Sequence, residues 1–580
     1  MTQPQIIVER DVEATMRDGK VLRANIYRPD VPERLSVLLQ RTPYGKDGSD
    51  VSFCMLSAAR GYAVVVQDTR GRWASEGTHF PFRDEFDDGY DTVEWAGGQP
   101  WANGKVGMWG GSYVGYTQWA AAATQPPSLV AIFPEVTFTD VYEDCFVPGG
   151  ALALGALVSW GLGSGVSMAI QRMPVPLEQK GALNEELADA LDAMAKGGIF
   201  RTLPLTQMPL LSREDITGRP FVEIMSHREH DEFWARMNIR PRLSEIGVPA
   251  YHLGGWYDIF AKATLSDYAD MRQHAASDRA RRGQKVIMGP WLHGPLTGLV
   301  GEVDFGVRAA DMFVLSYELR WRWFDYWLKG IENGILDEPP VRIFVMGRNV
   351  WRNESEWPLA RTVYAPCYLH SLGQANSLRG DGILSFEKPA VEPQDRYTYD
   401  PKNPVPTRGG GLCCWSAAIP AGAYDQRKVE ERQDVLVYTS EPLEEDLEIT
   451  GPVQVVLYAA TNAVDTDFAA KLVDVSVCGY ARNVCEGIVR ARYRLGTQKP
   501  HLLTPGEIVE YTIDLGASSN VFLAGHRLRL EISSSNFPHY DRNPNTGRVP
   551  SSEEELVAAA QTIHHDAEHP SHLVLPIIPV

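Results

Sequence analysis

Cysteine is scarce in this chain: seven among 580 residues, at positions 54, 145, 367, 413, 414, 478 and 485. The number is odd, the positions are scattered and no C-x-x-C pair occurs, so we expect neither a zinc site nor a disulfide framework. A run of about 18 apolar residues is also lacking, which argues against a membrane-spanning helix. The first residues, Met1 to Ile6, carry no basic stretch and no apolar run of leader length. These absences point to the cytoplasm and to no membrane partner. Positive charge is short as well: 55 Lys and Arg stand against 74 Asp and Glu, a formal net charge of −19. Long-range repulsion then disfavours nucleic acid and anionic membrane surfaces as partners, and the acidic excess serves solubility. Internal repeats and low-complexity linkers are missing too, so the domains are expected to pack closely.

What is present reads as a soluble globular chain too long for one core, with an apolar fraction of 44% and a charged fraction of 22%. Its organising stretch is Gly104-Lys105-Val106-Gly107-Met108-Trp109-Gly110-Gly111-Ser112-Tyr113-Val114-Gly115. A short apolar strand, Val106 to Trp109, runs into glycines and then into an alanine-rich helix, Tyr116 to Ala123. A serine at such a turn projects beyond the sheet edge, and the following helix aims its N-terminal amides at the same spot. Ser112 is therefore a candidate nucleophile at a G-x-S-x-G-like elbow. One departure stands out: Gly115 follows the serine by three residues rather than two.

Continuous apolar strands separated by turns and helical stretches surround the elbow. Val21 to Tyr27, Val37 to Leu39, residues 62–67 and Leu129 to Phe133 read as strands, and Phe86 to Trp95 as a helix. This pattern predicts a mainly parallel sheet covered on both faces. From about Val141 to Arg240 the sequence turns helical, with Leu183, Leu187, Leu191 and Met194 on one face, as a lid inserted into an α/β-hydrolase would. The run Gly161-Leu162-Gly163-Ser164-Gly165 lacks a phosphate loop's ending and preceding strand, so it reads as a helix-helix turn. Strands return at Ala250 to Leu253 and Lys285 to Met288, and Met312 to Leu328 reads as a long aromatic helix. Beyond about Trp351, many short strands predict a sandwich or jelly roll. The expected division is 1–140 and 241–350 for the hydrolase core, 141–240 for the lid and 351–580 for the jelly roll.

In α/β-hydrolases the acid and the histidine follow the serine in chain order, each just past a strand end. Here the strand at 250–253 leads to Asp258 and the next leads to His293. His293 would take the proton of Ser112, and Asp258 would fix the imidazole tautomer. His252 competes for the histidine role, but it lies inside a strand and precedes the acid, so we expect it in the core. The oxyanion needs two donors. The Tyr113 amide is one by position. The loop after an early strand carries Tyr44, either the second donor or a turn residue packed on Pro43, and the residues alone leave both open.

Thr42-Pro43-Tyr44, the Gln67-Asp68-Thr69-Arg70-Gly71 and Ala74-Ser75-Glu76-Gly77 pair, the elbow, Gly255-Trp256-Tyr257-Asp258 and Gly289-Pro290-Trp291-x-His293 together resemble the cocaine esterase and X-Pro dipeptidyl-peptidase superfamily. Val464 to Phe468, Ser533 to Pro538 and Glu568 to His572 extend the resemblance along essentially the whole chain. It implies Ser112, Asp258 and His293 as a triad, with the Tyr44 hydroxyl and the Tyr113 amide as the oxyanion hole. No metal and no cofactor is implied, and a homodimer is. Amino-acid ester hydrolases of this superfamily carry carboxylates just after the acid, where this chain has Ile259, Phe260 and Ala261. Trp160 and Phe260 match aromatic acyl-pocket positions of the cocaine esterase type, whereas Cys413 and Cys414 stand where that type presents leucine and phenylalanine. The expected activity is serine-dependent hydrolysis of a small-molecule ester with an apolar or aromatic acyl group. The alternatives are an acylase or aminopeptidase acting on amides, and, more remotely, a jelly-roll carbohydrate-binding protein.

Overall fold

The structure is a computed structural model that describes residues 5–294, 296–310, 317–414 and 419–579. Ten strands form its first sheet. In chain order the first eight are β1 (Ile6–Thr15), β2 (Val21–Pro29), β3 (Leu35–Thr42), β4 (Tyr62–Asp68), β5 (Ala102–Gly111), β6 (Leu129–Glu135), β7 (Tyr251–Tyr257) and β8 (Lys285–Leu292). They lie in the order β1-β2-β4-β3-β5-β6-β7-β8, and Val341–Val345 and Val350–Glu354 complete the far edge. From β4 to Val341–Val345 neighbouring strands are parallel. β1 and β2 add an antiparallel edge on one side and Val350–Glu354 on the other.

Strand side chains alternate between two cores, which is why these strands are apolar throughout. Along β3, Val37 and Leu39 pack on one face and Leu38 on the other; along β4, Val65 opposes Val64 and Val66. Helices α2 (Glu85–Gly97) and α3 (Tyr113–Ala123) cover the first face through Val93, Ala96, Trp119 and Ala120. Helix α1 (Val51–Ala59) and the aromatic helix Glu318–Lys329 cover the second through Phe53, Cys54, Trp323 and Phe324. The first residues expected in that last helix, 312–316, lie outside the described residues.

Between β6 and β7 the chain is helical, and in the helix Leu177–Ala195 it buries Leu183, Leu187 and Met194 as the spacing predicts. The glycine run here corrects the sequence reading. It is no turn: Gly161–Val166 is a π-helical segment joining Leu154–Trp160 to Ser167–Arg172. The glycines serve close approach, since a Cβ at Gly161 would lie 2.7 Å from Leu211 Cδ2 and one at Gly165 2.6 Å from Phe221 Cζ.

The C-terminal part stands where a jelly roll was expected. It is a mainly antiparallel unit of eleven strands closed on a core that draws Leu369, Tyr397, Leu457, Leu472, Tyr511, Leu530 and Ile563 from strands across the unit. No described helix is long and apolar enough to cross a membrane.

Candidate active site

The site begins at the turn between β5 and α3. Ser112 has φ 60° and ψ −127°, a region a non-glycine residue occupies only when its surroundings impose it. Those surroundings are specific. The Ser112 amide donates to Glu135 O at 2.9 Å, and its carbonyl accepts from Thr137 Oγ1 at 2.8 Å. A Cβ at Gly115 would lie 2.5 Å from Thr137 Cβ, and one at Gly110 would lie 2.4 Å from Val114 Cγ1. The displaced second glycine is thereby explained: the close approach in this elbow falls at Thr137, one residue later along the helix.

β7 and β8 bring the other two candidates to the same edge. His293 Nε2 lies 3.0 Å from Ser112 Oγ, and His293 Nδ1 lies 2.8 Å from Asp258 Oδ2. The Asp258 side chain is wholly buried and that of His293 is 11% exposed. Asp258 Oδ1 also accepts from the Phe260 amide at 2.6 Å, which fixes the carboxylate's orientation. His252 is elsewhere. It sits inside β7 against Trp119 and Tyr268, paired with Gln284 Oε1 at 2.9 Å, and burial lowers its pKa to about 4.

Tyr44 enters from the loop after β3. Its hydroxyl accepts from Trp160 Nε1 at 3.2 Å, and the two rings thus join the core loop to the lid. The side chain is part exposed, yet its phenol pKa is raised above 10.0, chiefly by burial, while hydrogen bonds to Trp160 and Ser112 pull it back. A phenol so shifted stays protonated and can donate. The Q-D-T-R-G motif supports this loop rather than touching the nucleophile. Asp68 accepts from the Lys46 amide at 2.7 Å, the Thr69 amide donates to Thr42 O at 3.0 Å, and nearby Arg72 Nε donates to Pro43 O at 2.8 Å.

As the first residue of α3, Tyr113 has no intrahelical acceptor for its N–H. Its ring is buried and anchored: the hydroxyl donates to Glu85 Oε1 at 2.9 Å and accepts from the Phe82 amide at 2.9 Å. Arg41 Nη1 pairs with Glu85 Oε2 at 2.6 Å. Burial raises the Glu85 pKa, and Arg41 opposes that shift.

Trp160, Phe260, Cys413 and Cys414, the four residues expected in the pocket, line one narrow cavity together with Ser112, Tyr44 and Tyr113. Ile259, singled out beside the acid, is on the same wall, and sequence reasoning missed Phe82, Phe138 and Phe146 there. Phe82 stacks on Tyr113 with centroids 4.5 Å apart, and Phe138 meets Phe260 at 4.6 Å. These phenylalanines lie far apart in sequence and carry no motif, so nothing short of the fold identifies them.

One expectation is overturned here. Cys413 and Cys414 are joined by a disulfide, although the cysteine pattern promised none. Spacing rules describe bridges that close loops, and a bond between adjacent residues closes only a small ring of its own, leaving no such spacing to read. The cytoplasmic expectation loses part of its support accordingly.

Two other features resemble sites without being this one. A wider polar void among Glu143, Lys262, Glu486 and His539 touches Asp258 but is not lined by Ser112. In the C-terminal unit, Ser371 Oγ lies 3.1 Å from His565 Nε2, and His565 Nδ1 lies 3.2 Å from Glu392. That histidine is wholly buried, and the Ser371 hydroxyl donates to Asp395 Oδ2 at 2.8 Å, so the cluster is structural.

Comparison with known proteins shows the family. The X-Pro dipeptidyl-peptidase (S15) family matches residues 18–295, and the X-Pro dipeptidyl-peptidase C-terminal non-catalytic domain matches residues 333–574. Cocaine esterase of Rhodococcus sp. (strain MB1 Bresler) is 41% identical over 579 residues, covering 98% of both chains. Among solved structures, an aminopeptidase from the marine sediment archaeon Thaumarchaeota archaeon is similar with a TM-score of 0.83 at 26% identity, over 100% of this chain and 97% of that one. An α-amino acid ester hydrolase reaches 0.79 at 26% identity, over 99% and 97%. With a full-length relative at that identity and both family models matched in order, the chain belongs to the CocE/NonD family of hydrolases, related to the X-Pro dipeptidyl-peptidases.

Proposed function

We propose that this protein is a serine esterase that cleaves small-molecule esters with an apolar or aromatic acyl group through an acyl-enzyme. Ser112 Oγ attacks the ester carbonyl while His293 Nε2 takes its proton, and Asp258 stabilises the imidazolium. The Tyr113 N–H and the Tyr44 hydroxyl stabilise the oxyanion. His293 then protonates the leaving alcohol, and a water activated by the same nitrogen releases the acid. The observation that carries the reading is the chain of contacts from Asp258 to His293 to Ser112, at 2.8 and 3.0 Å, opening on an aromatic wall. The activity named for the Rhodococcus relative supports it.

A second reading, hydrolysis of amides or α-amino esters, is favoured by the likeness to an aminopeptidase and an α-amino acid ester hydrolase. Against it stand Ile259, Phe260 and Ala261, which offer a substrate ammonium no carboxylate beside the acid. Burst and steady-state hydrolysis of a matched benzoyl ester and benzoyl amide, wild type beside Ser112→Ala, separates the two. Ester cleavage alone, reduced about 10⁴–10⁶-fold in the variant, is expected. Comparable amide cleavage would assign the protein to the acylases. The same proposal takes 1–140 with 241–354, 141–240 and 355–580 as the domains, the expected boundary at 350 moving because the strand Val350–Glu354 pairs into the first sheet. It also takes a cytoplasmic homodimer as the working form, whose oligomeric state light scattering on the purified chain tests.

A further inference from the structure

The connection between the last two strands of the C-terminal unit carries a group of side chains the esterase does not use. The strand Ala559–His564 ends at His564, the strand His572–Ile577 begins eight residues later, and the turn between them contains Asp566 and His569. Both strands pair in succession along one edge of Leu447–Thr461, whose other edge pairs with Val509–Phe522, so the turn bulges out between two stretches of the same pairing. One ligand atom from each of His564, Asp566 and His569 lies within 4.8 Å of the other two. From this juxtaposition we propose that His564, Asp566 and His569 bind one divalent transition-metal ion of the Zn²⁺ or Co²⁺ class.

The donor set selects the ion. Two imidazoles and a carboxylate suit Zn²⁺, Co²⁺, Ni²⁺ or Cu²⁺ rather than Mg²⁺ or Ca²⁺, which favour oxygen alone. A tetrahedral ion about 2.0–2.1 Å from each ligand sets them about 3.3 Å apart, so small side-chain rotations close the shell. All three residues are half-buried, which leaves a fourth position for water.

The turn is already held in shape. Asp566 Oδ1 accepts from the amides of Glu568 and His569 at 2.8 and 2.9 Å. Ser571 Oγ donates to His564 O at 2.6 Å and accepts from the Tyr458 amide at 2.9 Å. Between the two candidate histidines, His565 points the other way into the buried cluster with Asp395 and Glu392. A separate observation marks the site as unsatisfied: His569 Nδ1 is shielded from solvent and has no hydrogen-bond partner, though Asp566 Oδ1 is 3.4 Å away. A cation between these atoms gives that nitrogen a partner, and it ties the turn to the end of the strand before it. None of the three residues lines the cavity at Ser112, so occupancy acts on stability rather than on turnover.

Titration of the chelator-stripped full chain with Co²⁺, read by visible absorption, and competition with Zn²⁺ test the site, with His564→Gln and His569→Gln alongside. The expected result is one equivalent bound, with the intense d–d bands of a low-coordinate nitrogen-oxygen site and a rise in thermal midpoint on saturation. Each variant is expected to bind at least about tenfold more weakly while keeping the wild-type ester hydrolysis rate and the metal-free thermal midpoint. No uptake by the wild type at millimolar metal overturns the proposal. So does equal uptake by both variants, or a spectrum of octahedral all-oxygen coordination, and the spectrum needs no variant to fold.

Discussion

At the scale of single residues, the site depends on atoms that are kept from relaxing. Ser112 holds a backbone conformation it would not choose alone, fixed by Glu135 and Thr137, and the Tyr44 hydroxyl is held in place by Trp160 Nε1. In the proposed mechanism, removing the Tyr44 hydroxyl leaves the developing oxyanion with the Tyr113 amide alone. Loss of one such donor typically reduces turnover about 10²–10³-fold. Tyr44→Phe is therefore expected to lower kcat by that factor with little change in KM or thermal midpoint, and near-wild-type kcat in steady-state assays would remove Tyr44 from the mechanism. The adjacent cysteines belong to this scale too, for they present a bonded pair to the substrate side of the cavity where two ordinary side chains were expected.

At the scale of elements, the elbow and β7 make opposite demands. In the elbow, the Cβ of Gly115→Ala meets Thr137 at 2.5 Å, and Thr137 is the residue that fixes the Ser112 carbonyl. Overpacking of this kind costs about 1–3 kcal/mol. We expect a lower thermal midpoint together with a fall in kcat larger than any change in KM; unchanged kcat would mean that the elbow relaxes without disturbing the nucleophile. In β7, His252 is buried neutral with a pKa of about 4 against 6.5 for the free side chain. The unfolded chain then binds more protons between those values, so the stability contributed by the neutral ring is complete above about pH 6.5 and is lost as pH falls towards 4. The full difference is at most roughly 3 kcal/mol. His252→Gln is expected to flatten thermal midpoint against pH over that window and to retain ester turnover, and parallel curves for variant and wild type would refute the assignment.

At the scale of the whole molecule, three parts meet through buried polar contacts. Asp541 of the C-terminal unit accepts from Arg228 of the inserted helices at 2.9 Å, from Arg490 at 2.8 Å and from the Leu152 amide at 2.9 Å. All three of these charged side chains are almost wholly buried. The carboxylate pKa is lowered, with desolvation opposing and Arg228 and Arg490 outweighing it. Nearer the active site, the Tyr257 hydroxyl donates to Asn483 O at 2.8 Å, joining β7 to the C-terminal unit one residue before Asp258. Asp541→Asn takes the paired carboxylate from Arg228, whereas Arg490 keeps Asp467 at 2.9 Å; breaking a buried pair in this way costs about 3–5 kcal/mol. Calorimetry is expected to show a lower midpoint and a split transition; a single transition at the wild-type midpoint would mean that the contact does not couple the lid to the C-terminal unit.

Much of this was legible in the sequence because it is written in short range. Apolar runs gave away the strands, glycines bracketed Ser112, and Asp258 and His293 followed successive strands, so chain order alone proposed which residues meet. The seven-residue strand β7 and the eight-residue strand β8 ran farther than expected, through glycines that read as turns, because strand pairing overrides local preference. The glycine run at 161–165 likewise reads as a turn locally and becomes helix because Leu211 and Phe221 press against it. Only the tertiary structure decided the wall of the pocket, since Phe82, Phe138 and Phe146 are ordinary apolar residues until folding turns them towards Ser112. The bond between Cys413 and Cys414 belongs with them: composition counts cysteines, but whether two sulfurs face each other is set by the backbone around them.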